Sequence, residues 1–82
     1  MHYVYILQSK MFPNQIYKGS TEDLKKRLEK HNAGDVSHTS KFRPWKIVWY
    51  CAFEKKEQGL EFEQYLKTAS GIAFSRKRFL PK

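Results

Sequence analysis

Apolar residues occupy both sides of the first strand-like segment, which runs from His2 to Ser9. In an extended chain Tyr5 and Leu7 point to one side, whereas Val4 and Ile6 point to the other. Strands that are apolar on both faces are typical of the middle of a sheet, where other elements pack on each side. The pattern therefore predicts a central first strand.

The next segment predicts a hairpin. Lys10 to Gln15 contains Pro13-Asn14, which is a turn signal. Ile16 to Lys18 is predicted to form a short second strand, and the short connection favours antiparallel pairing with the first strand. Gly19 is expected to break this second strand.

A first helix is predicted to follow and to run to about His31. Ser20 or Thr21 can cap its N-terminus, and acidic side chains follow in its first turn, where the helix dipole favours negative charge. Asn32-Ala33-Gly34 is expected to end the helix, since asparagine and glycine suit the left-handed position after the last turn.

The rest of the chain predicts one more strand and one or two more helices. Asp35 to Pro44 is polar and aperiodic, which indicates a loop, and Trp45 to Phe53 is rich in strand-forming residues. Lys55 to about Lys67 is predicted to form a second helix, and a short third helix is expected beyond Ser70-Gly71, in the tail that ends at Lys82. The order β-β-α-β-α(-α) predicts a small α/β domain of the α+β type, with three mainly antiparallel strands and helices packed against them.

The first helix carries two basic side chains on its predicted apolar face. At about 100° per residue, Leu24 and Leu28 define the buried stripe, and Arg27 and His31 fall on that same stripe. Burying an unpaired charge is costly, so these side chains need a partner and we expect a site to be built around this helix. Alternatively, His31 only compensates the dipole at the end of the helix.

Glu63 breaks the apolar pattern of the second helix. It falls within an arc formed by Gly59, Leu60, Phe62 and Leu66. Either Glu63 lies at the edge of this arc and pairs with a lysine, or its carboxylate points into a cleft as a ligand for a hard cation. Gly59 is expected to leave space beside the carboxylate. Magnesium is usually held by only one or two carboxylates together with waters and a substrate phosphate, so a single glutamate is sufficient for the second interpretation.

Composition and charge narrow the class of protein. The chain has 82 residues and a formal net charge of +8, which indicates one small domain and an anionic partner, most commonly nucleic acid. Alternatively, the positive net charge only keeps the protein soluble. The single Cys51 excludes an intramolecular disulfide and a cysteine-based zinc site. No signal segment and no apolar run of about 20 residues are present, which predicts a cytoplasmic protein without a membrane span.

Five side chains together form a workable set for metal-assisted phosphodiester hydrolysis: Tyr5, Tyr17, Arg27, His31 and Glu63. A metal polarises a phosphoryl oxygen and the leaving group, the arginine balances charge on the phosphate, and a tyrosine or the histidine takes a proton from the attacking water. Tyrosine is a poor base at its ordinary pKa near 10, so it would need a neighbouring cation, metal or imidazole. A strand tyrosine that only packs in the core is the alternative for each phenol.

In this combination the sequence resembles the GIY-YIG nuclease domain, and in particular its small stand-alone bacterial members. The resemblance extends to about Gly71, which predicts a single domain over residues 1–82 with a core over about 2–71 and a basic tail over 72–82. The matching segments are Tyr3-Val4-Tyr5, Tyr17-Lys18-Gly19, Asp23-Leu24, Arg27, His31-Asn32-Ala33-Gly34, Lys41 to Val48 and Glu63 to Lys67.

The resemblance implies a three-stranded antiparallel sheet with the first strand central, and cleavage of DNA that depends on one magnesium or manganese ion. It implies that Tyr5 and Tyr17 lie near the attacking water and the scissile phosphate, and that Arg27 binds the phosphate. His31 would be the general base or would assist Tyr5, and Glu63 would be the metal ligand. No small-molecule cofactor is implied.

The sequence departs from the family pattern at three points. Tyr3 replaces the first glycine of the first triplet, Lys18 replaces an aliphatic residue in the second triplet, and no asparagine follows Asn32. Lys18 either contacts phosphate or projects into solvent, and we favour solvent. The third departure leaves a nucleic-acid-binding module without catalysis as the alternative to an active enzyme.

The expected partner is DNA, with RNA as a further possibility, and the expected state is a monomer. The first hypothesis is a structure-specific or non-specific endonuclease in DNA repair or metabolism, and a basic protein-interaction domain is a third alternative. Without an additional DNA-binding domain, affinity would come from basic side chains of the domain itself and would be sensitive to salt. The candidates are Lys10, Lys18, Lys41, Arg43, Arg76, Lys77 and Arg78.

Overall fold

A computed structural model of the chain describes residues 1–68. Its centre is a three-stranded antiparallel sheet formed by β1 (His2–Ser9), β2 (Ile16–Thr21) and β3 (Trp45–Phe53), in the order β2-β1-β3. The first strand is therefore central, as its two apolar faces predicted, and the β1 and β3 bounds are those predicted from the sequence.

Two helices complete the described fold, which is of the predicted α+β type. Helix α1 spans Leu24–Ala33, helix α2 spans Lys56–Leu66, and a short 3₁₀ turn at Ser40–Phe42 interrupts the loop before β3. The predicted third helix, Ser70-Gly71 and the basic tail lie outside the described residues. The described part of the chain contains no helix that is long and apolar enough to cross a membrane.

Each helix covers one face of β1. Val4 and Ile6 are fully buried with Leu66 of α2. Tyr5 and Leu7 are buried on the other face with Trp45, where Leu24 and Leu28 of α1 pack against them. The alternation along β1 thus divides the core into an α2 side and an α1 side, and Tyr5 belongs to the α1 side.

Strand β2 does not break at Gly19, contrary to the prediction. It continues through Gly19, which pairs with Tyr5, to Thr21, which pairs with Tyr3. The ladder with β1 supplies the backbone hydrogen bonds that outweigh the poor strand propensity of glycine. Glycine is also the residue that leaves room for a close neighbour, and Tyr5 provides one.

The N-terminal cap of α1 is Asp23 and not Ser20 or Thr21. The Asp23 carboxylate accepts a hydrogen bond of 3.0 Å from the backbone N–H of Lys26, which satisfies one of the free donors of the first turn. The predicted cap was wrong because β2 continues for three residues longer than expected and incorporates both hydroxyl residues.

At its other end α1 extends two residues beyond the predicted His31, to Ala33. Gly34 then adopts the left-handed conformation with a φ of 84°, as predicted for a glycine in this position. A Cβ atom at Gly34 would overlap the guanidinium of Arg43, which lies over this turn.

Asn32 and Trp45 connect α1 to the start of β3. The Asn32 side chain accepts a 2.6 Å hydrogen bond from the Trp45 N–H and donates a 3.2 Å bond to the Trp45 carbonyl. The Trp45 indole N–H donates to the carbonyl of Thr39 at 2.9 Å. These bonds fix the loop that was predicted to be polar and aperiodic, and they hold it against the end of α1.

Helix α2 packs differently from the predicted arc at two positions. Leu60 is 41 % exposed and does not face the sheet. The space beside Gly59 is filled by His2, because a Cβ atom at Gly59 would lie 2.5 Å from Cδ2 of the His2 ring. Gly59 therefore allows close contact between α2 and β1, and does not leave open space beside Glu63.

Candidate active site

A chain of three buried side chains joins β1, α1 and the following loop. The Tyr5 hydroxyl lies 3.0 Å from Nε2 of His31, and Nδ1 of His31 lies 2.8 Å from Oγ1 of Thr39. All three residues are at most 2 % exposed. The prediction that His31 faces inwards from α1 is confirmed, and its partners are a phenol and a hydroxyl.

Tyr17 flanks the same imidazole from β2. Its ring centroid lies 4.9 Å from that of His31 and 6.4 Å from that of Tyr5. Tyr17 is half-buried and pairs with Leu7 in the β1–β2 ladder, so the two tyrosines come from adjacent strands as predicted, and the rings of both lie beside that of His31.

Gly19 provides the space that the Tyr5 phenol occupies. A Cβ atom at this position would lie 2.6 Å from the Tyr5 hydroxyl, 2.8 Å from Cζ of the same ring and 3.0 Å from Cε2 of Tyr17. The Tyr5 ring is rigid, buried and hydrogen-bonded, so it cannot move aside at low cost. In the sequence Gly19 stood out as a strand breaker and as part of the triplet Tyr17-Lys18-Gly19, but neither feature indicated that it makes room for the Tyr5 phenol.

We expect Gly19→Ala to displace the Tyr5 hydroxyl from His31, because the added methyl group overlaps the phenol. The overcrowding should cost about 1–3 kcal/mol of unfolding free energy, and any cleavage activity should fall by about 100-fold, as misplacement by about 1 Å does in other enzymes. Urea unfolding and single-turnover cleavage measure the two effects.

Ala52→Gly, on the exposed side of β3, is a control for a change of one methyl group in the sheet. Equal activity of Gly19→Ala and wild type would contradict the role of Gly19 in placing the Tyr5 hydroxyl.

Burial keeps the Tyr5–His31 pair neutral in the free protein. Burial raises the pKa of the Tyr5 hydroxyl strongly, with smaller contributions from Tyr17 and Glu63, and the opposing charge of Arg27 does not cancel this rise. Burial also lowers the pKa of His31 below its ordinary value of 6.5, and the positive charge of Arg27 lowers it further. A neutral imidazole can accept a proton, which is what a partner of Tyr5 must do.

This depressed histidine pKa predicts a pH dependence of stability. The unfolded chain protonates His31 near pH 6.5, whereas the folded chain does so only at lower pH. The free energy of unfolding should therefore be highest above pH 6.5. It should decrease as the pH falls from 6.5 through the folded-state pKa of His31. Urea midpoints measured from about pH 7.5 to 5 should show this decrease in wild type and in His38→Gln, but not in His31→Gln. An identical pH dependence in all three would exclude His31 as its source.

Arg27 lies beside the Tyr5–His31 pair, on the face of α1 where the sequence predicted it. It is half-buried, and its charge acts on both Tyr5 and His31. Arg27 also lines a small pocket of about 80 Å³ together with Thr21, Asp23, Lys26 and Lys30. Three of the five lining side chains are cationic, so the pocket is suited to an anionic group such as a phosphate.

Glu63 binds two partners at the other face of the sheet. The Ser20 hydroxyl donates to Oε1 at 2.5 Å, and the Lys67 ammonium lies 2.9 Å from Oε2. Burial raises the pKa of Glu63, but the hydrogen bonds from Ser20 and Lys67 and the charges of Lys67 and His2 outweigh it and lower the pKa below its usual value. The carboxylate is therefore ionised. Glu63 thus pairs with a lysine, as the first of its two sequence-based interpretations predicted.

The structure does not bring Glu63 into direct contact with the tyrosines. Ser20 pairs with Val4, so it belongs to the α2 side of the sheet, whereas Gly19 and Tyr5 pair on the α1 side. The charge of Glu63 nevertheless acts on Tyr5 and helps to raise its pKa. In residues 1–68 no cluster of three or more histidine, cysteine, aspartate or glutamate side chains could hold a metal ion, so a cation here would depend on Glu63, waters and substrate.

The side chains predicted to contact nucleic acid differ in their exposure to solvent. Lys10, Lys41 and Arg43 are exposed, whereas Lys18 is half-buried and donates a 2.9 Å hydrogen bond to the carbonyl of Leu66. The expectation that Lys18 projects into solvent was wrong, because its ammonium satisfies a free carbonyl at the end of α2. Arg76, Lys77 and Arg78 lie outside the described residues.

Two hydroxyl residues of the site were missed in the sequence. Ser20 was considered only as a helix cap, and Thr39 only as part of the polar loop. No periodic pattern links either hydroxyl to its partner, because Ser20 on β2 meets Glu63 on α2, and Thr39 in the loop meets His31 on α1.

The family model of the GIY-YIG catalytic domain matches residues 1–76. The chain belongs to the GIY-YIG family. This confirms the resemblance inferred from the two tyrosine triplets and from the residues of α1. The GIY-YIG family is a family of nucleases that generally use divalent metals and act on nucleic acid, so the chain is a member of a nuclease family.

The GIY-YIG chain is also similar to several small bacterial proteins named UPF0213. One from Staphylococcus saprophyticus is 35 % identical over 80 residues, which cover 96 % of this chain and 89 % of that protein. One from Clostridium perfringens is 38 % identical over 68 residues, which cover 82 % of this chain and 71 % of the relative. The names of these relatives state no activity.

A solution NMR structure of a UPF0213 protein from Bacillus halodurans shares the fold. It matches with a TM-score of 0.55 and 30 % sequence identity, and the match covers 93 % of this chain and 82 % of that protein. The arrangement of three antiparallel strands and two helices described above is thus the arrangement of a GIY-YIG domain.

Proposed function

We propose that this GIY-YIG protein is an endonuclease that hydrolyses phosphodiester bonds of DNA with the help of one magnesium or manganese ion. The observation that carries the proposal is the buried hydrogen bond between Tyr5 and neutral His31, beside the cation of Arg27. A phenol hydrogen-bonded to an imidazole is a pair that can move a proton, and the adjacent basic pocket suits a phosphate.

In the proposed mechanism the Tyr5 hydroxyl takes a proton from the attacking water while it passes its own proton to Nε2 of His31, so that no free phenolate forms. Each proton moves to a group already within hydrogen-bonding distance or to one that substrate binding brings there. Arg27 stabilises the negative charge that develops on the phosphate. The 3.0 Å contact favours His31 as the residue that assists Tyr5 over His31 as the direct base.

Glu63 is the residue that would hold the cation. Its carboxylate is ionised and only half-buried, and oxygen ligands of this kind suit magnesium and manganese. When bound, the cation would polarise a phosphoryl oxygen and the leaving group. Lys67 already neutralises one oxygen of Glu63, so its ammonium must move away from Oε2 when a cation binds there.

We further propose that the enzyme cleaves with little sequence preference and acts in DNA repair or metabolism. Lys10, Lys41 and Arg43 are exposed cations, which suit contacts with the phosphates of any sequence. Contacts with phosphates position a nucleic acid but carry no direct sequence information.

The test is a cleavage assay of the full chain on duplex, single-stranded and branched DNA and on RNA, each with Mg²⁺, Mn²⁺ or EDTA. We expect cleavage of DNA with either ion and none with EDTA. Salt-dependent binding without cleavage under any condition would instead identify a nucleic-acid-binding module. The Lys67–Glu63 ion pair is the observation that favours this second candidate, because it occupies the proposed metal ligand.

A further inference from the structure

We propose that Thr39 is a positioning residue that holds His31 in the tautomer protonated at Nδ1, so that Nε2 faces Tyr5 as a proton acceptor. The catalytic consequence rests on the proposed function, whereas the tautomer itself does not. Thr39 lies outside the five residues that the sequence and the family resemblance brought forward.

The contacts of Thr39 set the direction of the hydrogen bonds. Its Oγ1 lies 2.8 Å from Nδ1 of His31 and 3.3 Å from the carbonyl oxygen of Val36, to which it donates. A hydroxyl has a single proton. Once that proton is directed to Val36, Oγ1 can only accept from His31, and the imidazole proton must reside on Nδ1.

The opposite direction leaves a donor without an acceptor. If Thr39 donated to Nδ1, then Nε2 would carry the imidazole proton and would donate to the Tyr5 oxygen. The Tyr5 proton would then need another acceptor, and the hydrogen bonds described for residues 1–68 include none for it. A buried donor without an acceptor is costly. In the proposed direction every proton of the chain has an acceptor, from Tyr5 through His31 and Thr39 to Val36.

The backbone around Thr39 is held firmly enough to impose this arrangement. Its carbonyl accepts the indole N–H of Trp45 at 2.9 Å, and its N–H donates to Val36 at 3.1 Å. Trp45 is in turn bound through its backbone to Asn32, one residue after His31. The hydroxyl of Thr39 and the ring of His31 are therefore fixed to one another through the same set of contacts.

The tautomer decides what His31 can do for Tyr5. An imidazole nitrogen with a free lone pair can accept the phenol proton, whereas a protonated Nε2 can only donate to the phenol oxygen. After the transfer the imidazolium still donates from Nδ1 to Thr39, so the outer hydrogen bond persists in both protonation states. Fixing a histidine through its second nitrogen is also how outer partners orient histidine ligands in metal sites.

The experiment is nitrogen-15 NMR of the imidazoles in the free protein, without DNA or metal, above pH 7. Long-range correlations distinguish the protonated from the unprotonated ring nitrogen. His31 is identified by the contacts of its ring with Tyr5 and Tyr17, and His38→Gln removes one of the other two histidine signals. The variants are Thr39→Val, which has the same shape without a hydroxyl, and Thr39→Ser, which keeps the hydroxyl.

We expect His31 to be protonated at Nδ1 in wild type and in Thr39→Ser, and to shift towards protonation at Nε2 in Thr39→Val. Protonation at Nε2 in wild type would overturn the inference, as would an unchanged tautomer in Thr39→Val. If Thr39→Val fails to fold, the wild-type and Thr39→Ser spectra still decide the tautomer.

The catalytic consequence is measured separately. In the cleavage assay Thr39→Val should lower kcat by about 10- to 100-fold with little change in KM, the size usual for loss of an outer partner of a functional histidine, and Thr39→Ser should restore it. Unchanged kcat in Thr39→Val would overturn the positioning role. Absence of cleavage by wild type, with His31 protonated at Nδ1, would refute the proposed function and leave the tautomer established.

Discussion

Glu63→Ala is expected to abolish metal-dependent cleavage, with a loss of about 1,000-fold or more, while DNA binding in EDTA stays close to wild type. The carboxylate is the proposed metal ligand, and metal stabilisation of charge in such reactions amounts to several kcal/mol, at about 1.4 kcal/mol per factor of ten in rate. Binding should persist because the exposed cations, Lys10, Lys41 and Arg43, are unchanged.

A matched control for this substitution lies on the same helix. Glu61 is exposed, and Glu61→Ala changes the net charge by the same amount without touching Ser20 or Lys67. Cleavage rates at a series of Mg²⁺ concentrations should be unaltered in Glu61→Ala. If Glu63→Ala and wild type cleave at the same rate, the activity does not come from this carboxylate and the proposed mechanism is wrong.

Tyr5→Phe is expected to lower kcat by about 100- to 10,000-fold, which is the range for loss of a positioned acid–base group. The substitution removes the hydroxyl and leaves Nε2 of His31 buried without its partner, so we also expect a loss of about 1–3 kcal/mol of unfolding free energy. Single-turnover kinetics at saturating DNA separates the chemical step from binding.

Tyr3→Phe is the control for the tyrosine substitution. Tyr3 lies on the same strand and the same side as Tyr5, and its ring packs against Tyr50 instead of His31. Loss of its hydroxyl should leave kcat within about twofold of wild type, as for side chains that do not contact the reacting groups. Equal losses in the two variants would show that Tyr5 acts only through packing.

Local pattern was sufficient to predict β1 and β3 because both strands are long, apolar and rich in strand-forming residues. The local pattern failed at Gly19. There the pairing of β2 with β1 determines the extended conformation, although glycine by itself disfavours a strand. The cap at Asp23 was missed for the same reason, since the helix can begin only where the ladder ends. The interval Lys55 to Lys67 was predicted well because α2 has clear periodicity, with Lys55 and Lys67 as its flanking residues.

The candidate site could be predicted where a charged or polar side chain interrupted a predicted apolar face. Arg27 and His31 stood out on a predicted buried face, and both lie beside Tyr5 in the structure. Thr39 gave no such signal because a threonine in a polar loop is unremarkable in sequence. Its role depends on a turn that is held in part by a contact with Trp45, in the following strand.

Hydrogen exchange should separate the two halves of the candidate site. Strand β1 is paired on both sides and Tyr5 is buried, so the amide of Tyr5 should exchange only through global opening of the sheet. Glu63 lies in the last turn of α2, which ends at Leu66, so its amide should exchange through a smaller, local opening of that turn. We therefore expect the half proposed to bind the metal to open more often than the half proposed to transfer protons.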